Sequence, residues 1–183
     1  SANTGYSDTA VGYQSLKNTT SGYGNSAYGV SSLTSNTTGL YNTGMGYQSL
    51  YNNTTVYYNV GLGMYALRNV SAGTGNVGVG YYAMSSNSTG TYNTAIGYQA
   101  DIGEGVTNAT SLGRGASNST SNTIVLGNTS ITRVSTSGTI VTTNDINAKH
   151  IKGNSGALSI AASTGAGTSP SGLTVTGTDM SGV

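Results

Sequence analysis

Apolar residues recur along most of the chain at a fixed spacing, always beside a glycine that serves as an anchor for alignment. Segment 10–16 (AVGYQSL) has a counterpart seventeen residues later, and five successive intervals of this length follow one another. The anchors are Gly12, Gly29, Gly46, Gly63, Gly80 and Gly97, followed after sixteen and fourteen residues by Gly113 and Gly127. Such regular spacing predicts a repeat architecture over residues 1–130.

The columns of this alignment differ in their chemistry. The residue directly before the anchor is apolar, as at Val11, and the residue four after it is Leu or Met, as at Leu16; these two columns are predicted to form the interior. Two residues before the anchor only Ala or Gly occurs in the 17-residue units, which predicts close approach by another backbone or subunit.

Polar columns complete each unit. Asn, or Asp8 in the first unit, stands four residues before the anchor and predicts a corner at which the side chain bonds nearby backbone. A stretch of Asn, Ser and Thr follows the second apolar column and predicts the loop that leads into the next unit. Replacement of Asn53 in this loop is predicted to be nearly silent.

We predict an all-β fold: a parallel β-roll or solenoid of about eight short coils, each holding two short strands and two turns. Seventeen residues are too few for a four-stranded propeller blade, and successive coils would stack at about 4.8 Å. A narrow coil with small interior side chains buries little area per chain and exposes its terminal edges. Association into a homotrimeric fibre is the simplest remedy, so a homotrimer is expected.

The chain changes character after residue 130. Residues 131–152 alternate loosely between apolar and polar and carry several charges, which predicts a β-rich neck or linker. Residues 153–183 include a strand-like stretch at 173–180 (LTVTGTDM), which predicts the start of a C-terminal β domain, with the chain continuing beyond it.

Composition narrows the classes of function. The chain has 183 residues, no cysteine and a net charge of +1, so disulfides and thiolate metal sites are excluded. Its six basic residues are too scattered for a nucleic-acid footprint, and no apolar run approaches the roughly 18 residues that span a bilayer. We therefore expect no cofactor, metal ion or nucleic-acid partner, and no membrane insertion in this segment.

Candidate catalytic groups are few. The single histidine, His150, stands beside Lys149 and is interpreted as a solvated linker residue. Asp101 and Glu104 are interpreted as a charged turn, with a glycosidase pair as the alternative. Segment 73–78 fits a dinucleotide fingerprint, but its glycines belong to the repeat columns and no helix is predicted after it. The chain is predicted not to be an enzyme.

Tyrosine is the only aromatic residue type, with fourteen copies that all precede Gln99. In stacked coils these rings would form ladders, and packing is the preferred interpretation. Aromatic faces with polar tips also suit carbohydrate, so one column is a candidate contact for a glycan on the host surface. Its members, directly after the anchors, are Tyr13, Tyr47, Tyr81 and Tyr98.

Segments 92–100 (YNTAIGYQA) and 109–116 (ATSLGRGA) resemble the head repeats of trimeric autotransporter adhesins, and similar phrases occur in bacteriophage tail-fibre proteins. The resemblance covers residues 1–130 and implies a left-handed parallel β-roll that trimerises. The adhesin heads have a shorter repeat, like the final fourteen-residue step of this chain, so the longer turns here imply a different coil cross-section or handedness.

Three functions fit these observations. Segment 165–180 looks like the start of a β domain near the C-terminal ends of phage fibre proteins, and no heptads follow the repeats. Both features favour a phage tail fibre, located in the virion with other virion proteins, that acts as a rigid shaft for host attachment through a glycan or protein receptor. A trimeric adhesin on the bacterial cell surface is the alternative. An ice-binding solenoid is more remote, because its threonine column lies in a turn; the column is Thr20, Thr37 and Thr54.

Overall fold

The computed structural model of the chain describes residues 6–131, and this range contains strands and turns but no helix. Each 17-residue coil has one strand of three residues, not the two strands predicted, and second strands occur only in the shorter coils. The strands are β1 (Thr9–Val11), β2 (Ser26–Tyr28), β3 (Thr43–Met45), β4 (Val60–Leu62), β5 (Val77–Val79), β6 (Thr94–Ile96), β7 (Asp101–Ile102), β8 (Thr110–Leu112), β9 (Ser117–Asn118) and β10 (Ile124–Leu126). The predicted neck (131–152) lies, apart from Ile131, outside the described residues, as does the predicted C-terminal β domain (153–183).

Eight strands form one parallel sheet in the order β1-β2-β3-β4-β5-β6-β8-β10, and β7 pairs with β9 in a second parallel sheet. The register follows the sequence repeat, since Ala27 pairs with Ala10 on one side and with Gly44 on the other. Equivalent columns therefore stack on one another, and the predicted all-β parallel solenoid is confirmed. Seven strand intervals at about 4.8 Å give a stack about 34 Å long.

The strands turn their small residues inward and their large apolar residues outward, so one predicted interior column was wrong. In β2 and β6 the central Ala27 and Ala95 are fully buried, whereas Tyr28 and Ile96, directly before the anchors, are more than a third exposed. Side chains alternate across a strand, so these two neighbouring columns cannot share a face.

The interior has no room for larger side chains because the leucine column already occupies it. A Cβ atom at Gly78 would lie 2.9 Å from Leu67 Cγ, and one at Gly44 would lie 2.5 Å from Ser32 Oγ. The small column is therefore closely approached, as predicted, but by interior side chains of the same chain rather than by another subunit.

The leucine column forms the core, as predicted, and it does so in an uncommon backbone conformation. Leu33, Leu50, Leu67 and Met84 are fully buried, and their φ angles lie between +51° and +53°. This left-handed conformation costs a non-glycine residue about 1–2 kcal/mol, which burial of the side chain, worth about 1.5–3 kcal/mol, offsets. The turns of neighbouring coils are also joined by backbone hydrogen bonds, since the Leu50 N–H donates to the next coil's Ala66 carbonyl at 3.0 Å.

The asparagines four residues before the anchors form a buried ladder. The backbone N–H of Asn42 donates to Asn25 Oδ1 at 3.0 Å, and that of Asn59 donates to Asn42 Oδ1 at the same distance. Each side-chain amide also crosses its own coil, as Asn59 Nδ2 does to the Gly73 carbonyl at 3.0 Å. The predicted backbone contacts are present, and full burial is tolerated because both ends of each amide are bonded.

Asn53 lies inside the coil and not in an outer loop, so the premise for its silent replacement was wrong. Its side chain is fully buried, and neither Nδ2 nor Oδ1 has a hydrogen-bond partner among residues 6–131. At the equivalent position two coils later, Asn87 Oδ1 accepts from the Gly90 N–H at 2.6 Å. In the Asn53 coil the buried Val56 stands in place of that glycine.

We expect Asn53→Val to stabilise the chain. The next coil places the fully buried Val70 in the same column, so the site accepts this side chain. Removal of an unbonded buried amide should raise the free energy of unfolding by about 1–2 kcal/mol. Asn42→Val, which breaks the bonded ladder, is the matched control and should lower it by about 1–3 kcal/mol. Urea unfolding at one protein concentration measures both, and equal destabilisation of the two variants would contradict the expectation.

Candidate functional site

The anchor glycines are the points where the backbones of neighbouring coils meet. Their φ angles lie between +119° and +137° from Gly12 to Gly113, and at +78° for Gly127. A Cβ atom at Gly46 would lie 2.5 Å from the Gly63 carbonyl oxygen, and one at Gly12 would lie 2.6 Å from that of Gly29. No side chain fits there, so this column stacks the coils and does not contact a ligand.

The outward-facing apolar column forms a continuous surface along the sheet. We call it the apolar stripe, and its members are Val11, Tyr28, Met45, Leu62, Val79, Ile96, Leu112 and Leu126. Six of the eight side chains are between 38% and 55% exposed. Because the strands are in register, these side chains stack at about 4.8 Å and make one continuous apolar surface, as protein interfaces do.

The four tyrosines predicted as glycan contacts do not form a continuous ladder. Other residue types occupy the same column in the second and fourth coils, and Tyr13 is 71% exposed without a ring neighbour among residues 6–131. Tyr81 and Tyr98 are stacked, with ring centroids 5.1 Å apart. Tyr47 meets the edge of Tyr65, one column further along the chain, at 5.4 Å.

Two tyrosines that sequence reasoning missed join these rings into a cluster. The ring centroid of Tyr82 lies 4.6 Å from that of Tyr65 and 4.6 Å from that of Tyr81. We call the group the tyrosine cluster; its members are Tyr47, Tyr65, Tyr81, Tyr82 and Tyr98. The adjacent pair at 81–82, which puts tyrosine in two columns at once, was the sequence signal for this grouping.

Polar contacts hold the cluster in place. The guanidinium of Arg68 lies 5.3 Å from the centre of the Tyr65 ring, and its Nε donates to Gln48 Oε1 at 3.1 Å. Burial among the rings raises the pKa of Tyr65 and of Tyr81, and the neighbouring phenols raise each pKa further. These phenols therefore remain protonated hydrogen-bond donors at neutral pH.

A cleft of about 240 Å³ opens beside the cluster, lined by Tyr82, Ser85, Gln99 and Asp101. Two of these residues belong to the last 17-residue coil and two to the 16-residue coil that follows. Asp101 Oδ1 accepts from the Ser86 N–H at 3.2 Å and thereby joins the two coils.

The two acids considered as a glycosidase pair hold separate stretches of backbone. Glu104 Oε2 accepts from the Ser88 N–H at 2.7 Å, and Oε1 accepts from the Ser88 hydroxyl at 2.9 Å. Hydrogen bonds from the Thr89 hydroxyl and the Ser88 N–H lower the pKa of the Glu104 carboxyl. Asp101 is bonded to Ser86 instead, so each acid has a structural partner of its own.

The threonine column considered for ice binding is bonded along the stack. The Thr20 hydroxyl donates to the Thr37 carbonyl at 3.1 Å, and the Thr37 hydroxyl donates to the Thr54 carbonyl at 3.1 Å. These hydroxyls therefore add side-chain hydrogen bonds to the backbone bonds that join the turns of neighbouring coils, and the column has a structural role.

Neither a metal-binding group nor a membrane-spanning helix is found within the described residues. His150 lies outside them, and residues 6–131 contain no group of three His, Asp or Glu residues that could hold a metal ion. No helix in the same range is long and apolar enough to cross a membrane. No family model, curated protein or solved structure matches the chain.

Proposed function

We propose that the chain is the shaft of a homotrimeric extracellular fibre, most simply a bacteriophage tail fibre, which connects a virion to its receptor without catalysing a reaction. The observation that carries the proposal is the apolar stripe, which lies on the outer face of an eight-stranded parallel sheet. Such a surface on a single chain calls for a partner along its whole length.

Burial of the stripe would supply the stability that a narrow coil lacks. Full burial of an aliphatic side chain of this size is worth about 1.5–3 kcal/mol, and roughly half of Met45 and of Leu112 is still exposed in one chain. The stripe runs along the stack of coils, so partners that cover it must lie side by side with their stacks aligned. Cyclic symmetry satisfies this for all copies and keeps every chain pointing the same way, as a fibre requires.

Three chains are the smallest number that gives each stripe two different neighbours around a central axis. Two chains would leave one flank of each stripe exposed, because a side-by-side pair covers only the facing flank. A trimer therefore buries the stripe more completely than a dimer does.

We expect the double variant Met45→Lys, Ile96→Lys to convert the trimer into monomers. Each buried ammonium would lose its hydration without a partner, at a cost of several kcal/mol. Thr55→Lys with Ser71→Lys is the matched control, since both residues are exposed and lie outside the stripe. Sedimentation equilibrium gives the mass of each variant. A monomeric or dimeric wild type, or an intact trimer in the stripe variant, would sink the trimer proposal.

The assignment to a virion rests on the resemblance to tail-fibre repeats and on a scaffold with few titratable groups. In the adhesin alternative, the same chain would lie on a bacterial surface and bind its target through the coils. Immunogold electron microscopy with an antibody against the chain separates the two. Label on virion fibres supports the phage assignment, whereas label confined to the bacterial envelope would replace it with the adhesin.

A further inference from the structure

We infer that the cleft between the last 17-residue coil and the 16-residue coil binds one neutral hexose unit of a glycan. The inference rests on the attachment role proposed above and names the chemical class of the receptor. Three features of the cleft carry it: a fixed aromatic wall, polar groups free to bind hydroxyls, and an uncompensated negative charge.

The aromatic wall of the cleft is Tyr82. Its ring is held by Tyr65 and Tyr81, each with its centroid 4.6 Å away, and its backbone is in the left-handed conformation with φ +52°. A ring fixed in this way loses little conformational entropy when a ligand binds. Its face offers an apolar surface for the C–H groups of a pyranose, and its phenol offers a polar tip.

The polar wall consists of Gln99 and Asp101, with Ser85 beside them. Asp101 Oδ1 is bonded to the Ser86 N–H, and within residues 6–131 no hydrogen bond involves Asp101 Oδ2 or the Gln99 side-chain amide. A carboxylate and an amide together accept from and donate to neighbouring hydroxyls, which is the pattern that a sugar ring presents.

Charge and size narrow the ligand. Asp101 lines the cleft and no Lys or Arg does, while Arg68 is held against Gln48 and the Tyr65 ring. An acidic sugar or a phosphate would therefore be repelled. A volume of about 240 Å³ lies below the roughly 300–1,000 Å³ typical of sites for drug-sized ligands, so one ring fits better than a longer segment.

The site occurs once among the described coils because it depends on the change in coil length. Asp101 stands four residues after its anchor, in the column that holds buried Leu or Met in all five earlier coils. In the shorter coil the fully buried Ala100 and Ile102 fill the interior instead, and the residue between them faces outward. A trimer would carry three such sites, so weak single sites would combine into tighter attachment.

Saturation-transfer-difference NMR on the full chain tests the site, with methyl α-glucoside, α-galactoside and α-mannoside as probes and N-acetylneuraminic acid as the anionic comparison. We expect at least one neutral hexoside to bind the wild type and Tyr6→Leu, which removes a tyrosine that is 64% exposed and lies outside the cleft. Tyr82→Leu and Asp101→Asn should bind that hexoside about tenfold more weakly or not at all. Circular dichroism verifies that both cleft variants remain folded.

Failure of all three hexosides to bind, equal affinity in the cleft variants, or preference for the anionic sugar would each overturn the inference. Sedimentation of the same samples keeps this outcome separate from that of the fibre proposal. If the wild type is a trimer that binds no hexoside, the fibre proposal stands and the sugar site is rejected. If it is a monomer that binds hexoside through Tyr82, the sugar site stands and the trimer is rejected.

Discussion

Gly46→Ala is expected to destabilise the chain by about 3 kcal/mol or more, a large effect for the addition of one methyl group. The new Cβ would lie 2.5 Å from the Gly63 carbonyl oxygen and 2.6 Å from its carbon, and neither atom can move without separating the coils. The φ of +136° adds backbone strain, because only glycine adopts this region readily. Gly46→Val should be at least as severe.

Two other glycines of the same chain separate steric conflict from backbone strain. At Gly103 an added Cβ would make ordinary contacts of 3.5 Å or longer and φ is not positive, so Gly103→Ala should be silent. At Gly105 an added Cβ would make one ordinary contact, 3.8 Å from Thr89 Oγ1, but φ is +71°, so Gly105→Ala should cost about 1 kcal/mol. Thermal unfolding at one protein concentration gives the order of stability. Equal melting temperatures for the Gly46 and Gly103 variants would contradict the role of the anchor column.

The stacking of the coils could be predicted from the sequence because it depends on spacing alone. Residues seventeen apart that share a chemistry can pair in register only in a parallel stack, and Ala27 does pair with Gly44 in this way. The face that each column presents could not be predicted from spacing. A strand of three residues has a single inward position. The spacing is equally consistent with Ala10 or with its neighbour Val11 in that position.

The inward face is decided by the opposite wall of the coil. The turn with its buried leucine brings Leu50 Cγ to within 3.3 Å of where a Cβ at Gly61 would lie, so only the small column fits beneath it. This contact joins residues of different coils and depends on the left-handed conformation of Leu50, with φ +53°. Leucine seldom adopts that conformation, so local propensity gave no indication of it.

The candidate site was predicted only in part for a related reason. Tyr81 and Tyr98 share a column, and their stacking follows from the repeat. Tyr82 shares the next column with Tyr65, but its contact with Tyr81 joins two columns and depends on a turn in which Tyr82 has a positive φ. The cleft depends on a missing residue in one coil, which the sequence shows as a shorter interval between Gly97 and Gly113 without showing what the shorter coil exposes.

Backbone strain within each coil and hydrogen bonds between coils together make the whole coil the unit of stability. In the third coil, Gly46, Gln48 and Leu50 all have positive φ, and these conformations persist because backbone bonds to the neighbouring coils hold them. Gln48 N–H donates to the Val30 carbonyl of the preceding coil at 3.0 Å, while Leu50 N–H donates to Ala66 of the following one. A coil is therefore stable only when it lies in register with its neighbours.

Deletion of one whole coil, residues 47–63, is therefore expected to leave the fold intact. β3 would then pair with β5, Asn42 Oδ1 would accept from the Asn76 N–H, and Gly46 would meet the backbone of Gly80, all in the existing columns. The loss of one interface between equivalent coils should lower stability only in proportion to length. Electron microscopy should show a fibre shorter by about 4.8 Å, and sedimentation should show an unchanged number of chains.

Deletion of residues 47–54 removes fewer residues and is expected to do far more damage. Eight residues would remain between Gly46 and the next anchor, too few to pass around the interior. The deleted segment also includes Leu50, whose removal from the core alone costs about 2–5 kcal/mol. Columns on either side would lose their ladder partners, because register in a stack holds for all columns or for none. We expect local unfolding, detected as protease cleavage near the junction and a lower melting temperature than that of the 47–63 deletion. If the eight-residue deletion were the better tolerated of the two, the turns would accept a coil of different length. Stacking of whole coils in register would then not be what stabilises this chain.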